Sequence, residues 1–152
     1  MKDTCLFRRN REKLSALLKP ASAVVLHSGD QMPRNGDQYY PFRQNSHFFY
    51  LTGIRQEKSI LLLCPDHSDK SLREILFILP YSREREIWEG SKLSMEEASG
   101  VSGIGTVLPL DQFDKKLHEV MTRTEHVYLN AEGSVNITDG PPGRDARMLA
   151  RL

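Results

Sequence analysis

The segment RNGDQYYPFRQNSHFFYLTG, residues 34–53, combines side chains that could do chemistry with side chains typical of a protein core. Its first half carries Arg34, Asp37 and Arg43, and guanidinium and carboxylate groups form strong charge-assisted hydrogen bonds. We interpret residues 34–46 as a loop that builds an interface or a pocket wall. The alternative is that these charges pair with one another and order the loop.

Two other places offer weaker chemistry. His27, Ser28 and Asp30 contain the residue types of a hydrolytic triad, but neighbours in sequence rarely converge at a strand end, so a turn is favoured. Residues 66–69 (DHSD) contain possible metal ligands without a second ligand cluster, so a solvated loop is favoured. The sequence contains no phosphate-binding glycine loop and no nucleophile elbow. We therefore expect no catalytic apparatus in this segment.

Composition indicates a folded domain without a strong electrostatic field. The chain has 152 residues, of which 39% are hydrophobic and 27% charged, and its formal net charge is +1. Nucleic acid and membrane surfaces are therefore not expected partners. No apolar run approaches the ~20 residues that span a bilayer. Two cysteines do not form a disulfide framework, which favours a cytoplasmic setting.

The elements that must position these residues follow from hydrophobic periodicity and from capping residues. Helices are predicted from Thr4 to about Lys19, over residues 94–100 with Gly100 as the end, and after Asp111 as the cap. The basic residues between Lys2 and Lys13 are interpreted as the solvated face of the first helix. Apolar runs predict six strands, at residues 22–29, 46–53, 59–65, 74–80, 103–110 and 126–133. Strands alternating with helices predict an α/β fold with a mixed sheet.

The pattern changes after Gly133. Residues 1–135 form the predicted domain, and residues 136–152 are interpreted as a linker and the start of a truncated C-terminal part. Within it, residues 144–152 are typical of a helix that has only begun, and Met148, Leu149 and Leu152 face nothing in the chain. We expect the natural protein to continue beyond Leu152.

The central motif resembles the N-terminal domain of the Xaa-Pro aminopeptidase (aminopeptidase P) family. The matching positions are an Arg and an Asp at 34 and 37, YPFRQNS at 40–46, an aromatic pair, and the TG turn at 52–53. The segment REREIWEG, with Trp88, agrees as well. Prolidases and creatinase-like proteins share a weaker version of this domain.

The resemblance implies a mixed, about six-stranded sheet with flanking helices, of the RNase H-like kind. It implies a parent enzyme that releases the N-terminal residue before a proline, across a tertiary amide that lacks an N–H. In the family this reaction belongs to a C-terminal pita-bread domain with two divalent metals, usually manganese. No catalytic residue, metal ligand or cofactor is therefore expected in this segment.

The resemblance also suggests roles for five residues. Trp88 would reach toward the active site of a neighbouring subunit and pack on the proline ring or the residue after it. Asp37 would lie near the mouth of the cleft, unless it pairs with Arg34 or Arg43 to order the loop. Arg43 is interpreted as structural or interfacial. Tyr40 and Arg34 are further candidates for the substrate cleft or the interface. The implied partners are the catalytic domain, neighbouring subunits in a homodimer or homotetramer, and a peptide with proline second.

Three alternatives stay open. The chain could be a free-standing binding or assembly module, and the next residues of the gene would decide between this and the enzyme. It could be the N-terminal domain of a prolidase-type dipeptidase. A nuclease reading of the RNase H-like topology is weak, because the predicted strands do not end in clustered carboxylates.

Overall fold

The computed structural model describes residues 2–29, 33–36, 38–39, 44–79, 81–84, 86 and 92–130. Four helices and seven strands are assigned within these ranges. The helices are α1 (Lys2–Leu17), α2 (Ser46–Thr52), α3 (Met95–Ser102) and α4 (Phe113–Met121). The strands are β1 (Ser22–His27), β2 (Pro33–Asn35), β3 (Gln38–Tyr39), β4 (Ile60–Leu63), β5 (Glu74–Ile78), β6 (Thr106–Pro109) and β7 (His126–Leu129).

Five of the strands form one mixed sheet in the order β6-β5-β4-β1-β7. The central strand β4 is antiparallel to both of its neighbours, β1 and β5, and each edge strand is parallel to its neighbour. Strands β2 and β3 form a separate antiparallel ribbon. The predicted α/β fold with a mixed sheet is confirmed, with five strands in the main sheet of the described part.

Both faces of the sheet are covered, which explains why its central strands are continuous apolar runs. Every residue of β1 and β4 is buried. Alternate strand residues point to opposite faces, so Val25 and Leu62 pack toward α4, while Val24 and Leu61 pack toward α2 and α3. The helices α1, α2 and α3 therefore lie on one side of the sheet, and the amphipathic α4 lies on the other.

The predicted strand at residues 46–53 is wrong, because this segment is helix α2. The side chain of Asn45 accepts hydrogen bonds from the N–H groups of His47 and Phe48, which caps the first turn. Gly53 ends the helix in the left-handed conformation, with φ of 70°. The aromatic run suggested a strand, but the buried positions Phe48 and Leu51 follow the helical spacing.

Several predicted helix boundaries also require correction. Thr4 lies inside α1, where its hydroxyl donates to the carbonyl of Gly100 and caps nothing. Helix α1 ends at Leu17 rather than at about Lys19. Gly100 lies inside α3, which ends at Ser102 and is followed by a left-handed Gly103. Asp111 belongs to a 3₁₀ turn that precedes α4, and no side chain caps that helix.

The predicted solvated face of α1 contains one buried exception, Arg11, while Arg8, Arg9 and Lys13 are exposed as expected. The Nη1 atom of Arg11 donates to the carbonyl oxygens of Leu51 and Ser102, at 2.8 and 2.9 Å. These carbonyls belong to the last turns of α2 and α3, where a cation also interacts favourably with the helix dipole. One guanidinium thus binds the C-terminal ends of two helices.

The same two helix ends have a matching sequence, in which a hydroxyl residue is followed by Gly and Ile, at residues 52–54 and 102–104. In both, the hydroxyl donates to the carbonyl four residues earlier and accepts the N–H of the Ile. At Gly53 a Cβ atom would clash with the ring of Phe7. The glycines therefore allow α1 to approach both helix ends closely.

The Arg11 contact leads to a stability prediction. Arg11→Met keeps much of the apolar volume but leaves two buried helix-end carbonyls without their donor and the Glu74 carboxylate without its ion-pair partner. The free energy of unfolding should therefore fall by about 2–4 kcal/mol. Arg8→Met is the matched control in the same helix, because Arg8 forms only an exposed pair with Glu12. That change should cost less than about 0.5 kcal/mol. Urea unfolding measures both, and equal effects would contradict the assigned role of Arg11.

Candidate functional site

Of the five residues singled out from the sequence, the structure describes Arg34. It lies in β2 with an exposed side chain, next to the Gly36 turn that leads to β3. Asp37, Tyr40, Arg43 and Trp88 lie outside the described residues. The structure does describe the residues that follow these segments directly, Gln44 on one side and Lys92 on the other.

Gln44 is a hydrogen-bonding centre that the sequence did not reveal. Its Oε1 atom accepts the N–H groups of Gly29 and Asn45, at 2.7 and 2.8 Å. Its Nε2 atom donates to the carbonyl oxygens of Ile54 and Gln56, both at 3.1 Å. Both donors and both acceptor positions of the amide are thus used. Gln44 ties the end of β1, the start of α2 and the chain after α2 to one point.

Residues 54–59, which we name the anchor loop, also bind the chain that precedes α3. The Oε1 atom of Gln56 accepts the N–H of Leu93, at 2.9 Å. Glu57 pairs with Lys92 at 3.2 Å, and the two side chains are only 21% and 12% exposed. Because both side chains are partly buried, solvent screens this ion pair less than it screens an exposed pair.

The anchor loop is fixed to the sheet at its far end. Ser28 donates its N–H to the carbonyl of Ser59 and accepts the N–H of Ser59 on its own hydroxyl oxygen, both at 2.9 Å. The hydroxyl of Ser28 therefore serves a buried backbone contact at the end of β1. Gln44 and Lys92, the first described residues after the two candidate segments, therefore both bind the anchor loop.

The stretch at 66–69 forms a hydrogen-bonded turn. His67 accepts the N–H of Asp69 on Nδ1, and Asp69 accepts both the hydroxyl and the N–H of Ser71. These hydrogen bonds from Ser71 hold the pKa of the Asp69 carboxyl below its usual range. Among the described residues, no group of three or more His, Cys, Asp or Glu side chains could hold a metal ion.

The two cysteines differ in their environments. Cys5 is exposed on α1, and Cys64 is buried at the end of β4. Burial raises the pKa of the Cys64 thiol to about 12, so this thiol stays protonated and is a poor nucleophile near neutral pH. Within the described ranges, no helix has both the length and the apolar character needed to cross a membrane.

The sequence profile described as "Aminopeptidase P, N-terminal domain" matches residues 7–128. The chain belongs to this family. Xaa-Pro aminopeptidase of Escherichia coli K12 is 29% identical over 133 residues, which is 88% of this chain and 30% of that enzyme. The aminopeptidase P N-terminal domain thus accounts for most of this chain. The resemblance noted in the motif is confirmed.

Solved structures agree with this assignment. A Bacillus anthracis protein assigned as an aminopeptidase P has a TM-score of 0.86 at 28% identity, covering 98% of this chain and 35% of that one. A zinc-substituted E. coli aminopeptidase P in complex with product has a TM-score of 0.75 at 28% identity, with coverages of 90% and 30%. This chain therefore spans about a third or less of the proteins that it matches.

The geometry around Gln44 predicts a pH-dependent defect. In Gln44→Glu, a carboxylate oxygen would replace the Nε2 donor and face two carbonyl oxygens, so the free energy of unfolding at neutral pH should fall by about 1–3 kcal/mol. The carbonyls disfavour the charged carboxyl and raise its folded-state pKa above about 4.3. The defect should therefore be small below pH ~4 and grow as pH rises through the folded-state pKa.

The matched control for this prediction is Gln38→Glu, at an exposed position in β3. Its free energy of unfolding should change by less than about 0.5 kcal/mol at every pH. Denaturant unfolding between pH 3.5 and 7.5 measures both variants. A Gln44→Glu protein as stable as the wild type at pH 7 would show that the Nε2 contacts contribute nothing.

Proposed function

We propose that the chain serves as the non-catalytic N-terminal domain of a metal-dependent Xaa-Pro aminopeptidase, which releases the N-terminal residue that precedes proline. The observation that carries this proposal is the family match over residues 7–128 in a chain that spans about 30% of the E. coli enzyme. The remaining length of such an enzyme is available for a catalytic domain. The substrate class follows from the name of the E. coli relative.

The chemistry of the substrate explains why a separate domain is useful. A proline in second position makes the scissile bond a tertiary amide, and its ring fixes the backbone, so an enzyme cannot recognise it through an N–H. Recognition must instead come from a shaped, partly apolar surface. In the proposed enzyme, the C-terminal domain supplies two divalent metals, manganese in the usual form, that activate water. This chain supplies a wall of the cleft and contacts for assembly.

The metal belongs to the proposed catalytic domain and not to this chain. The zinc-substituted E. coli structure identifies that relative as a metalloprotein. In the part of the present chain that the structure describes, no three-ligand group exists that could hold such an ion. Cys5 and Cys64 are both free thiols, which supports a cytoplasmic setting.

The anchor loop supports a single surface formed by the candidate residues. Arg43 precedes Gln44 directly, and Trp88 stands four residues before Lys92, a span of at most about 14 Å. Gln44 and Lys92 both bind the anchor loop. We therefore propose that Trp88 and Arg43, together with Asp37, Arg34 and Tyr40, meet the catalytic domain or a neighbouring subunit of a homodimer or homotetramer.

The first test compares the 152-residue chain with the product of the complete reading frame that encodes it. With manganese present, the complete product should hydrolyse a tripeptide with proline second and not its counterpart with alanine second. The chain alone should hydrolyse neither peptide. Peptide hydrolysis followed by mass spectrometry measures both.

Three outcomes would contradict the proposal. Metal-dependent turnover by the 152-residue chain would show that it has its own active site. A stop codon directly after Leu152 would favour a free-standing assembly module. Hydrolysis restricted to Xaa-Pro dipeptides would favour a prolidase-type enzyme.

In the complete enzyme, Trp88→Ala tests the proposed surface. Loss of a large flat ring that packs on proline or on the next residue should lower kcat/KM for longer peptides by about tenfold, which corresponds to ~1.4 kcal/mol. The metal content should stay the same. Tyr81→Ala is the control, because Tyr81 is an exposed aromatic residue nearby in sequence. Equal kinetics for the two variants would assign Trp88 to packing only.

A further inference from the structure

Arg55, in the anchor loop, is an exposed arginine whose side chain is held in place. Its guanidinium lies over the ring of Phe49, with 5.0 Å between the Cζ atom and the ring centroid. The same ring packs edge-to-face against the buried Phe7, with 5.9 Å between the two centroids. A guanidinium that stacks on a ring uses its flat face, so the N–H donors in its plane stay available for another partner.

The backbone of Arg55 is fixed on both sides. The Nε2 atom of Gln44 donates to the carbonyl oxygens of Ile54 and Gln56, the residues directly before and after Arg55. The N–H of Ile54 in turn donates to the hydroxyl of Thr52 at the end of α2. Backbone and side chain are therefore both positioned before a partner binds, and such preorganisation lowers the entropic cost of binding.

The N–H donors of Arg55 are not used within the described part of the chain. No hydrogen bond or ion pair joins its guanidinium to another described residue. Glu57, the acidic residue nearest to it in sequence, is paired with Lys92. The anchor loop thus presents a positioned cation without a counter-charge among the described residues.

A second exposed cation, Lys58, lies three residues further along the anchor loop. No ion pair joins it to any residue that the structure describes. Its φ of 53° lies in the left-handed region, which a lysine rarely adopts and a glycine adopts readily. The loop therefore keeps a positive charge at a position where the backbone favours glycine. Two cations on one loop favour an anionic partner.

A carboxylate fits the guanidinium of Arg55. Its two oxygens can accept two parallel N–H groups, which gives a bidentate, charge-assisted pair. A rigidly held arginine suits a carboxylate that is itself fixed on a folded domain. The terminal carboxylate of a peptide substrate is less suitable, because its distance from the scissile bond changes with the length of the peptide.

The place of the anchor loop in the domain indicates where such a carboxylate comes from. The loop binds Gln44 and Lys92, which follow the two segments proposed to meet the rest of the enzyme. This chain matches 30% of the E. coli Xaa-Pro aminopeptidase, so most of the length of that relative lies outside the matched part. The rest of such an enzyme can therefore supply the acidic side chain.

We propose that Arg55 binds the carboxylate of an aspartate or glutamate that lies outside residues 1–152, in the adjoining domain or in a neighbouring subunit. Lys58 adds to the electrostatic attraction on the same loop. This proposal rests on the proposed function, because it requires a larger enzyme of which this chain is one domain.

The test is carbodiimide cross-linking of the complete enzyme with Arg55→Lys, with and without a peptide that has proline second. A carbodiimide joins an amine directly to a carboxylate in contact with it, and lysine retains the charge of the arginine. Because Arg55 is exposed, this substitution leaves the fold intact. The matched control is Arg9→Lys, since Arg9 is exposed on α1 and has no ion pair among the described residues.

The expected result concerns cross-links to acidic residues outside residues 1–152, identified by mass spectrometry. Those from position 55 should be roughly tenfold more abundant than those from position 9, because a positioned cation in contact with a carboxylate is held there. They should form equally well without the peptide.

Three results would overturn the proposal. Cross-links from position 55 to an acid within residues 1–152 would show an internal partner. Cross-links to the added peptide would identify the substrate as the source of the carboxylate. Equal abundance at positions 55 and 9 would show that Arg55 binds no carboxylate. Peptide hydrolysis is measured separately, so a complete enzyme without activity on such peptides would contradict the proposed function and leave the cross-linking result interpretable.

Discussion

The packing of α1, α2 and α3 on one side of the sheet depends on the buried guanidinium of Arg11. A cation inside a core requires acceptors, and Arg11 finds them in the carbonyls of Leu51 and Ser102 and in the carboxylate of Glu74, whose Oε1 atom lies 3.1 Å from its Nε. Two helices must therefore end at the same point beneath α1. Each end turns through a left-handed glycine into a fully buried isoleucine, Ile54 or Ile104. The position of the anchor loop follows, because it begins at Ile54.

Hydrogen bonds to the backbone then connect the anchor loop to the neighbouring segments of the chain. Gln44 accepts the N–H of Gly29 and donates to the carbonyl of Gln56 in the anchor loop. The side chain of Gln56 in turn accepts the N–H of Leu93. The pairing of Glu57 with Lys92 adds a partly buried charge contact at the same place. In this domain of the aminopeptidase P N-terminal family, the anchor loop thus binds both Gln44 and Lys92. This suits a domain proposed to shape a cleft whose catalytic groups lie elsewhere.

The sequence predicted the central strands of the sheet well, because the apolar runs that mark them are local features of the sequence. The apolar runs in β1, β4 and β5 exceed what any surface segment would carry, and their strands lie within the predicted ranges. It failed at α2, where the aromatic run outweighed the capping signals of Asn45 and Gly53. It could not identify Arg11 or Gln44. The acceptors of Arg11 lie 40 and 91 residues away, and nothing in the local pattern of α1 distinguishes this arginine from its exposed neighbours.

The most direct test of this account is amide hydrogen exchange at Leu93 in the Gln44→Ala protein. Gln44 does not contact Leu93, whose N–H binds Gln56, whereas the amides of Gly29 and Asn45 bind Gln44 itself. If the attachments of the anchor loop to Gln44 and to Leu93 open together, exchange at Leu93 should accelerate together with exchange at Gly29 and Asn45. Unchanged protection of Leu93, with faster exchange at the other two amides, would show two independent attachments and would contradict the account.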